Sequence, residues 1–143
     1  MSQENVETWR ANLEALRAQL AAGASPEAAI STLAEIWGPQ VELDATNATA
    51  LDLKQVYHGA DEVRQFWQEW LSAWETLSFD YELVDAGERV VALLDMRMRG
   101  RSTGIDVPFG EFGWVSRFRD GLIVHVKLYM SQSDALEAVG LPE

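Results

Sequence analysis

Histidine is the side chain that titrates near neutral pH, and the chain has two, His58 and His125, and no cysteine. Thiol nucleophiles, disulfides and thiolate metal sites are therefore excluded. His125 lies in FGWVSRFRDGLIVHVKLY, residues 112–129. There, two runs rich in aromatic and β-branched residues flank Asp120-Gly121, a strong hairpin signal. With those two residues as the loop, Arg119 faces Leu122 and the pairing runs outward to Phe112 opposite Tyr129. One face of the hairpin then carries Phe112, Trp114, Ser116, Phe118, Ile123, His125, Lys127 and Tyr129. The other carries Val115, Arg117, Arg119, Leu122, Val124, Val126 and Leu128. On the first face Ser116 stands beside His125 and Trp114 beside Lys127. A few polar groups among aromatic rings describe the floor of a small-molecule pocket. They equally describe an ordinary core edged by two cations that reach for water. A loop with a bulge would slide one strand by a residue and scramble these faces.

The second histidine follows Tyr57 just before a helix, which suits a turn beside a pocket mouth better than a catalyst. With two histidines, no HxH or HExxH spacing and no dense carboxylate cluster, neither a metal nor a cofactor is expected. The stretch from Gly100 to Gly104 lacks the Gly-Lys-Ser/Thr ending of a phosphate loop and precedes a strand.

The elements that must position these residues follow from periodicity. Val6, Trp9, Leu13, Leu16 and Leu20 recur at helical spacing, and this first helix ends near Gly23. Ser25-Pro26 opens a second, short helix carrying Ile30, Leu33 and Ile36, which Gly38-Pro39 stops. Val41 to Asp44 reads as a strand, and Ala45 to Tyr57 as a loop long enough for a lid or pocket rim. Val63, Phe66, Trp67, Trp70, Leu71 and Trp74 make the broadest helical stripe in the chain. Strands follow: Phe79, Tyr81 and Leu83 alternate with acids, and Val90, Ala92, Leu94, Met96 and Met98 alternate with Val91, Leu93, Asp95, Arg97 and Arg99. After a turn at Arg101 to Gly104 comes the hairpin, and a short helix from Asp134 to Val139 closes the chain. Helices first and then a run of strands argue for an α+β domain with helices against one sheet.

Composition sets the outer limits. The 143 residues suit a single domain spanning residues 1–143, and 48% hydrophobic with 24% charged residues is ordinary for a globular protein. A formal net charge of −12 disfavours nucleic-acid partners. No run approaches a membrane span of about 18 apolar residues, and MSQENVETWR has neither the basic start nor the apolar core of a signal peptide. A cytoplasmic location is expected. Six tryptophans imply a large aromatic core or a stacking cavity.

Several short stretches then stand in a familiar order: Tyr57-His58-Gly59, GADEVRQFWQEW, VDAGERVV, RGRSTG, FRDG, KLYM and ALEAVGL. From Val6 to Leu141 the chain resembles SnoaL-like proteins of the NTF2-like superfamily, whose relatives include ketosteroid isomerase and the polyketide cyclases. The resemblance implies an NTF2-like cone, a curved antiparallel sheet wrapped around the long helix, with N-terminal helices, a short C-terminal helix and a pocket at the open end. It also implies a homodimer through the convex sheet face, here the Val124, Val126 and Leu128 side of the hairpin. Superfamily enzymes that move protons beside a carbonyl need a carboxylate in a dry cavity and donors where charge develops. The matching carboxylate is Asp44, with Leu43 competing for the position within one residue. By alternation Asp44 shares a side with Glu42, away from Val41 and Leu43. The isomerase oxyanion aspartate falls at about Trp114, and the first helix has no matching tyrosine, so steroid isomerisation by that mechanism is not expected. A replacement set is His125, Lys127 and Tyr129, with Ser116 opposite.

Two functional expectations result. In one, Trp114, Ser116, Lys127, Tyr129, Tyr57 and His58 bind a small, largely apolar, polycyclic or aromatic metabolite, and Asp44 and His125 carry out cofactor-free cyclisation or isomerisation. In the other, the chain is a non-catalytic binding or dimeric assembly module whose cone is filled by tryptophans and methionines.

Overall fold

A computed structural model describes residues 2–26, 28–47, 56–72, 74–100 and 106–141. Helix α1 (Ser2–Ala21) leads to α2 (Ile30–Leu33), which a 3-10 turn, Ala34–Ile36, extends into strand β1 (Trp37–Asn47). Then come β2 (Val56–His58), α3 (Ala60–Leu71), β3 (Trp74–Ala86), β4 (Arg89–Gly100), β5 (Asp106–Arg119), β6 (Leu122–Tyr129) and α4 (Gln132–Ala138). The six strands form one curved, unclosed sheet in the order β2-β1-β6-β5-β4-β3. Its pairings are antiparallel save that β1 runs parallel to β6. This is the expected α+β cone, with a mixed sheet.

Helices α1 to α3 cover the inner face. The α1 stripe buries Val6, Trp9 and Leu13, and Leu16 and Leu20 pack at its margin. Helix α3 buries Val63, Phe66, Trp67 and Leu71. It stops there, where the Ser72 hydroxyl donates to Glu69 O at 2.8 Å. Trp74, expected on the same stripe, instead begins β3. On β4 the alternation holds throughout, with Val90, Ala92, Leu94, Met96 and Met98 all buried on the inner face.

Three expectations about local structure change. Strand β1 is longer than Val41–Asp44 and takes in Gly38-Pro39. Tyr57-His58, expected in a turn, forms the short edge strand β2 against β1, with Leu43 opposite Tyr57 and Glu42 opposite His58. Most of the expected 45–57 loop, and the turn at 101–104, lie outside the described residues.

The third change is the one that matters for function. The β5–β6 turn is the two-residue one, with φ of 54° at Asp120 and 80° at Gly121, the left-handed pair that a type I′ turn requires. Arg119 pairs with Leu122 and Phe118 with Ile123, but Arg117 then pairs with His125, leaving Val124 as an extra residue on β6. Beyond this bulge every β6 side chain changes face relative to β5. Val126 and Leu128, expected on the convex face, are buried in the main core. His125, Lys127 and Tyr129 stand opposite Arg117, Val115 and Gly113 instead of beside Ser116 and Trp114. The bulge thus buries two branched apolar side chains and leaves an imidazole and an ammonium near water, the arrangement that hydration favours.

The outer face has its own small core. Ala135 of α4 packs on Val91 and Val115, with Val84, Leu93, Tyr129, Leu136 and Val139 around them. Helix α4 ends in a turn at Gly140, where Gly140 N–H and Leu141 N–H reach Glu137 O and Leu136 O, each at 2.9 Å. A partner expected on the convex sheet would therefore meet α4 already seated over β4 and β5.

Candidate functional site

The residues singled out in the sequence fall into two groups on opposite faces of the sheet. Trp114, Ser116 and Tyr57 belong to the inner side. Trp114 is at the centre of an aromatic cluster, its ring 6.4 Å from that of Trp9 on α1 and 5.1 Å from that of Trp67 on α3. Trp67 continues edge-on to Trp70 at 5.9 Å and to Phe66 at 5.0 Å. Tyr57 lies 4.9 Å from Phe66, at the β2 end of the same cluster. Ser116 is 0% exposed, and its hydroxyl, like the Trp9 indole N–H, is buried without a hydrogen-bond partner in the protein. Beside this cluster is a cavity of about 30 Å³ lined from α1, α2, α3, β3, β4 and β5 by Leu13, Leu16, Ile30, Leu33, Trp67, Trp70, Phe79, Met96 and Trp114, among others. Among the described residues no charged side chain lines it.

Asp44, His125, Lys127, Tyr129 and His58 lie on the outer face. Glu42 is at their centre, because β1 runs between β2 and β6 and places it opposite both histidines. His58 Nδ1 is 3.0 Å from one Glu42 carboxylate oxygen, and His125 Nε2 is 3.5 Å from the other. One register step on, Lys127 Nζ lies 4.0 Å from Asp44 Oδ2 and 5.5 Å from the centre of the Tyr129 ring. His58 is further fixed by its backbone N–H, which donates to Glu62 at 3.1 Å. This ridge is wet: the His58 side chain is 68% exposed and that of Glu42 38%. Its carboxylates can orient imidazoles and hold an ammonium, and side-chain exposure falls from 68% at His58 to 21% at Asp44, so water screens these charges least at Asp44. Among the described residues no group of three or more His, Asp or Glu side chains is arranged to hold a metal ion.

Sequence reasoning missed two participants. Glu42 was legible as Asp44's neighbour on one side of β1, but its place between two histidines depends on strand order. Trp9 was read as part of a helix stripe, and only the packing of α1 across the inner sheet brings it onto Trp114.

The SnoaL-like domain family matches residues 13–126. The chain belongs to that family. No curated protein matches it significantly. Among solved structures it is similar to an NTF2-like protein of unknown function from Burkholderia pseudomallei, at 20% identity over 96% of this chain and 98% of that one, with a TM-score of 0.70. It is similar to TerC co-crystallised with polyporic acid, at 16% identity over 95% and 98% of the two chains and a TM-score of 0.69. A putative isomerase from Bacillus subtilis shares 12% identity over 97% and 99%, with a TM-score of 0.62. At these identities the likeness is one of fold, and the fold hosts many activities. Among the described residues no helix is long and apolar enough to cross a membrane.

Proposed function

We propose that this SnoaL-like protein binds a small, uncharged aromatic molecule against the tryptophan cluster of its cone, as a binding module whose cone does no acid-base chemistry. The observation that carries this reading is the separation of the two faces. The cavity wall is apolar and aromatic, whereas Asp44 and His125 project from positions flanked by Leu43 and Val126, which are themselves core residues. A charged ligand would lose its hydration in such a cavity without gaining a counter-ion. A neutral ring keeps stacking energy against Trp67, Trp70 and Trp114, which line the cavity. That TerC, a protein of similar fold, was co-crystallised with polyporic acid supports a small-molecule ligand. A thermal-shift screen of neutral polycyclic ketones against aromatic acids and fatty acids tests the reading, because a ligand of the folded state raises the melting temperature. Hits are expected among the neutral compounds, lost in Trp114→Ala and kept in Asp44→Asn and His125→Ala. Loss in either of the last two variants, or a preference for the acids, would sink it.

The second reading is an assembly module with a filled cone, and the cavity of about 30 Å³ favours it, since drug-sized ligands occupy roughly 300 Å³ or more. Here a second copy would use the part of the outer face that α4 leaves open, around Glu42 and Lys127. Silence across the screen together with a salt-sensitive dimer in sedimentation would select this reading.

A further inference from the structure

The cavity holds about 30 Å³, enough for a water molecule, whereas a cavity that takes benzene measures roughly 150 Å³. If the chain binds an aromatic molecule, as the reading above holds, one wall must move. The sheet is fastened by its hydrogen-bond ladders. Helix α3 presents four buried side chains to the core. Helix α1 is anchored as far as Leu13, by Val6, Trp9, Asn12 and Leu13, whereas the rest of its C-terminal half brings only the half-buried Leu16 and Leu20.

That half is held by polar contacts to β3, the strand at the open edge of the sheet. The Arg17 guanidinium donates to Phe79 O at 3.2 Å. It lies 5.5 Å from the centre of the Phe79 ring and 5.0 Å from that of Tyr81. Carboxylates flank it at 3.7 Å on each side, Glu14 from its own helix and Asp80 from β3. The Tyr81 hydroxyl donates to Glu14, closing the set. Leu13 and Leu16 of α1 line the cavity, and so does Phe79 of β3. The contacts that close the seam between α1 and β3 therefore border the space a ligand would enter. They are also of a kind that water can replace: the side chains of Arg17, Glu14 and Asp80 are 41%, 53% and 92% exposed.

We propose that Arg17, clamped between β3 and Glu14, is the catch of a lid formed by the C-terminal half of α1, and that ligands reach the tryptophan cavity when this catch opens. Arg17 is a positioning residue and touches no ligand. Because a ligand larger than the closed cavity keeps this wall displaced while it is bound, weakening the catch lowers the cost of opening, so entry is faster and binding is not weakened. A mere brace would behave differently, since its loss would loosen the cavity and weaken binding without speeding entry.

The test uses the full chain with Arg17→Met, which keeps the aliphatic stem, and Tyr81→Phe, which keeps the ring and removes only the hydroxyl. Acrylamide quenching of the buried tryptophans reports opening without any ligand. Stopped-flow mixing with the neutral fluorophore N-phenyl-1-naphthylamine reports entry and exit. In Arg17→Met the dynamic quenching constant is expected to rise severalfold, and the entry rate constant about tenfold with a Kd no higher than that of the wild type, the scale of a lost cation–π contact and ion pairs. Tyr81→Phe is expected to shift both in the same direction by less. Wild-type quenching and rates in a folded Arg17→Met would overturn the proposal, as would a raised Kd with an unchanged entry rate. If circular dichroism shows Arg17→Met unfolded, Tyr81→Phe decides by the same criteria. Failure of the wild type to bind the fluorophore would count against the binding reading alone, and the quenching comparison would still decide the catch.

Discussion

Helix α4 is seated on the outer sheet only because residue 113 is glycine. A Cβ built on Gly113 would lie 2.3 Å from the Ala135 Cβ, where two carbons in contact stay roughly 3.5–4.0 Å apart. In Gly113→Ala the helix must retreat by roughly 1.2–1.7 Å, and both clashing atoms are attached directly to backbone, so no rotamer relieves them. Overpacking of this kind costs about 1–3 kcal/mol, offset by about 0.4–1 kcal/mol from the stiffer unfolded chain. The expected result is a net loss of about 1–2 kcal/mol, read as a lower urea midpoint at unchanged slope. Ala135→Gly removes the opposing carbon and alone weakens α4 by about 1 kcal/mol through helix propensity. If the two residues meet, the double variant is more stable than the sum of the single effects by at least about 1 kcal/mol. Additivity within roughly 0.3–0.5 kcal/mol would refute the docking of α4, and with it the claim that part of the outer face is already covered.

Partial burial first, and then the hydrogen bond to and charge of Glu14, hold the Tyr81 phenol above its ordinary pKa. A raised phenol contributes stability that is complete below the unfolded value of about 10 and is lost as pH climbs through the folded one. Urea midpoints of the wild type are therefore expected to fall between about pH 9.5 and 11 more steeply than those of Tyr81→Phe; parallel curves would contradict the contact. Glu42→Gln is expected to cost under about 1 kcal/mol, and less in high salt, because its ion pairs with His58 and His125 are at the surface. A salt-independent loss of several kcal/mol would mean that this ridge is buried by a partner.

What could be read in the sequence, and what could not, differs strand by strand. On β4 apolar residues alternate with polar ones toward its end, and no residue of β4 from Val90 to Met98 is skipped in its pairing with β3, so alternation alone placed Val90 to Met98 correctly. On β1 the same rule put Glu42 and Asp44 away from Val41 and Leu43, as they are. The hairpin misled because two local signals disagreed. In LIVHVKLY the apolar residues Leu122, Val124, Val126 and Leu128 alternate with His125, Lys127 and Tyr129, a pattern that by itself points Val126 and Leu128 inward. Counting outward from Asp120-Gly121 set them opposite Val115 and Gly113 instead. The conflict is resolved by Val124, which is skipped in the pairing. A bulge has no composition of its own, so its only trace was that disagreement. For Trp74, a helical stripe continued past the point where Ser72 turns the chain, and propensity lost to the cap.

The bulge also decides what the cone is able to do. Had β6 run regularly, His125 and Lys127 would have stood beside Ser116 and Trp114 in the dry interior. With Val124 inserted, the polar groups of the described residues on the inner side include the Trp9 indole N–H, the Ser116 hydroxyl, the Tyr57 phenol and the amide of Asn12, which donates to Thr32 O at 2.7 Å. Such groups hydrogen-bond, but none takes or gives up a proton in the neutral range. They suit recognition of a carbonyl or hydroxyl. The affinity of a neutral aromatic probe should then be flat from pH 5 to 9, a range in which imidazoles ordinarily titrate. Isothermal titration across that range measures it directly. A sloping or bell-shaped profile that flattens in His125→Ala would mean that the imidazole senses the bound molecule after all, and the division between a binding interior and a titrating exterior would fall.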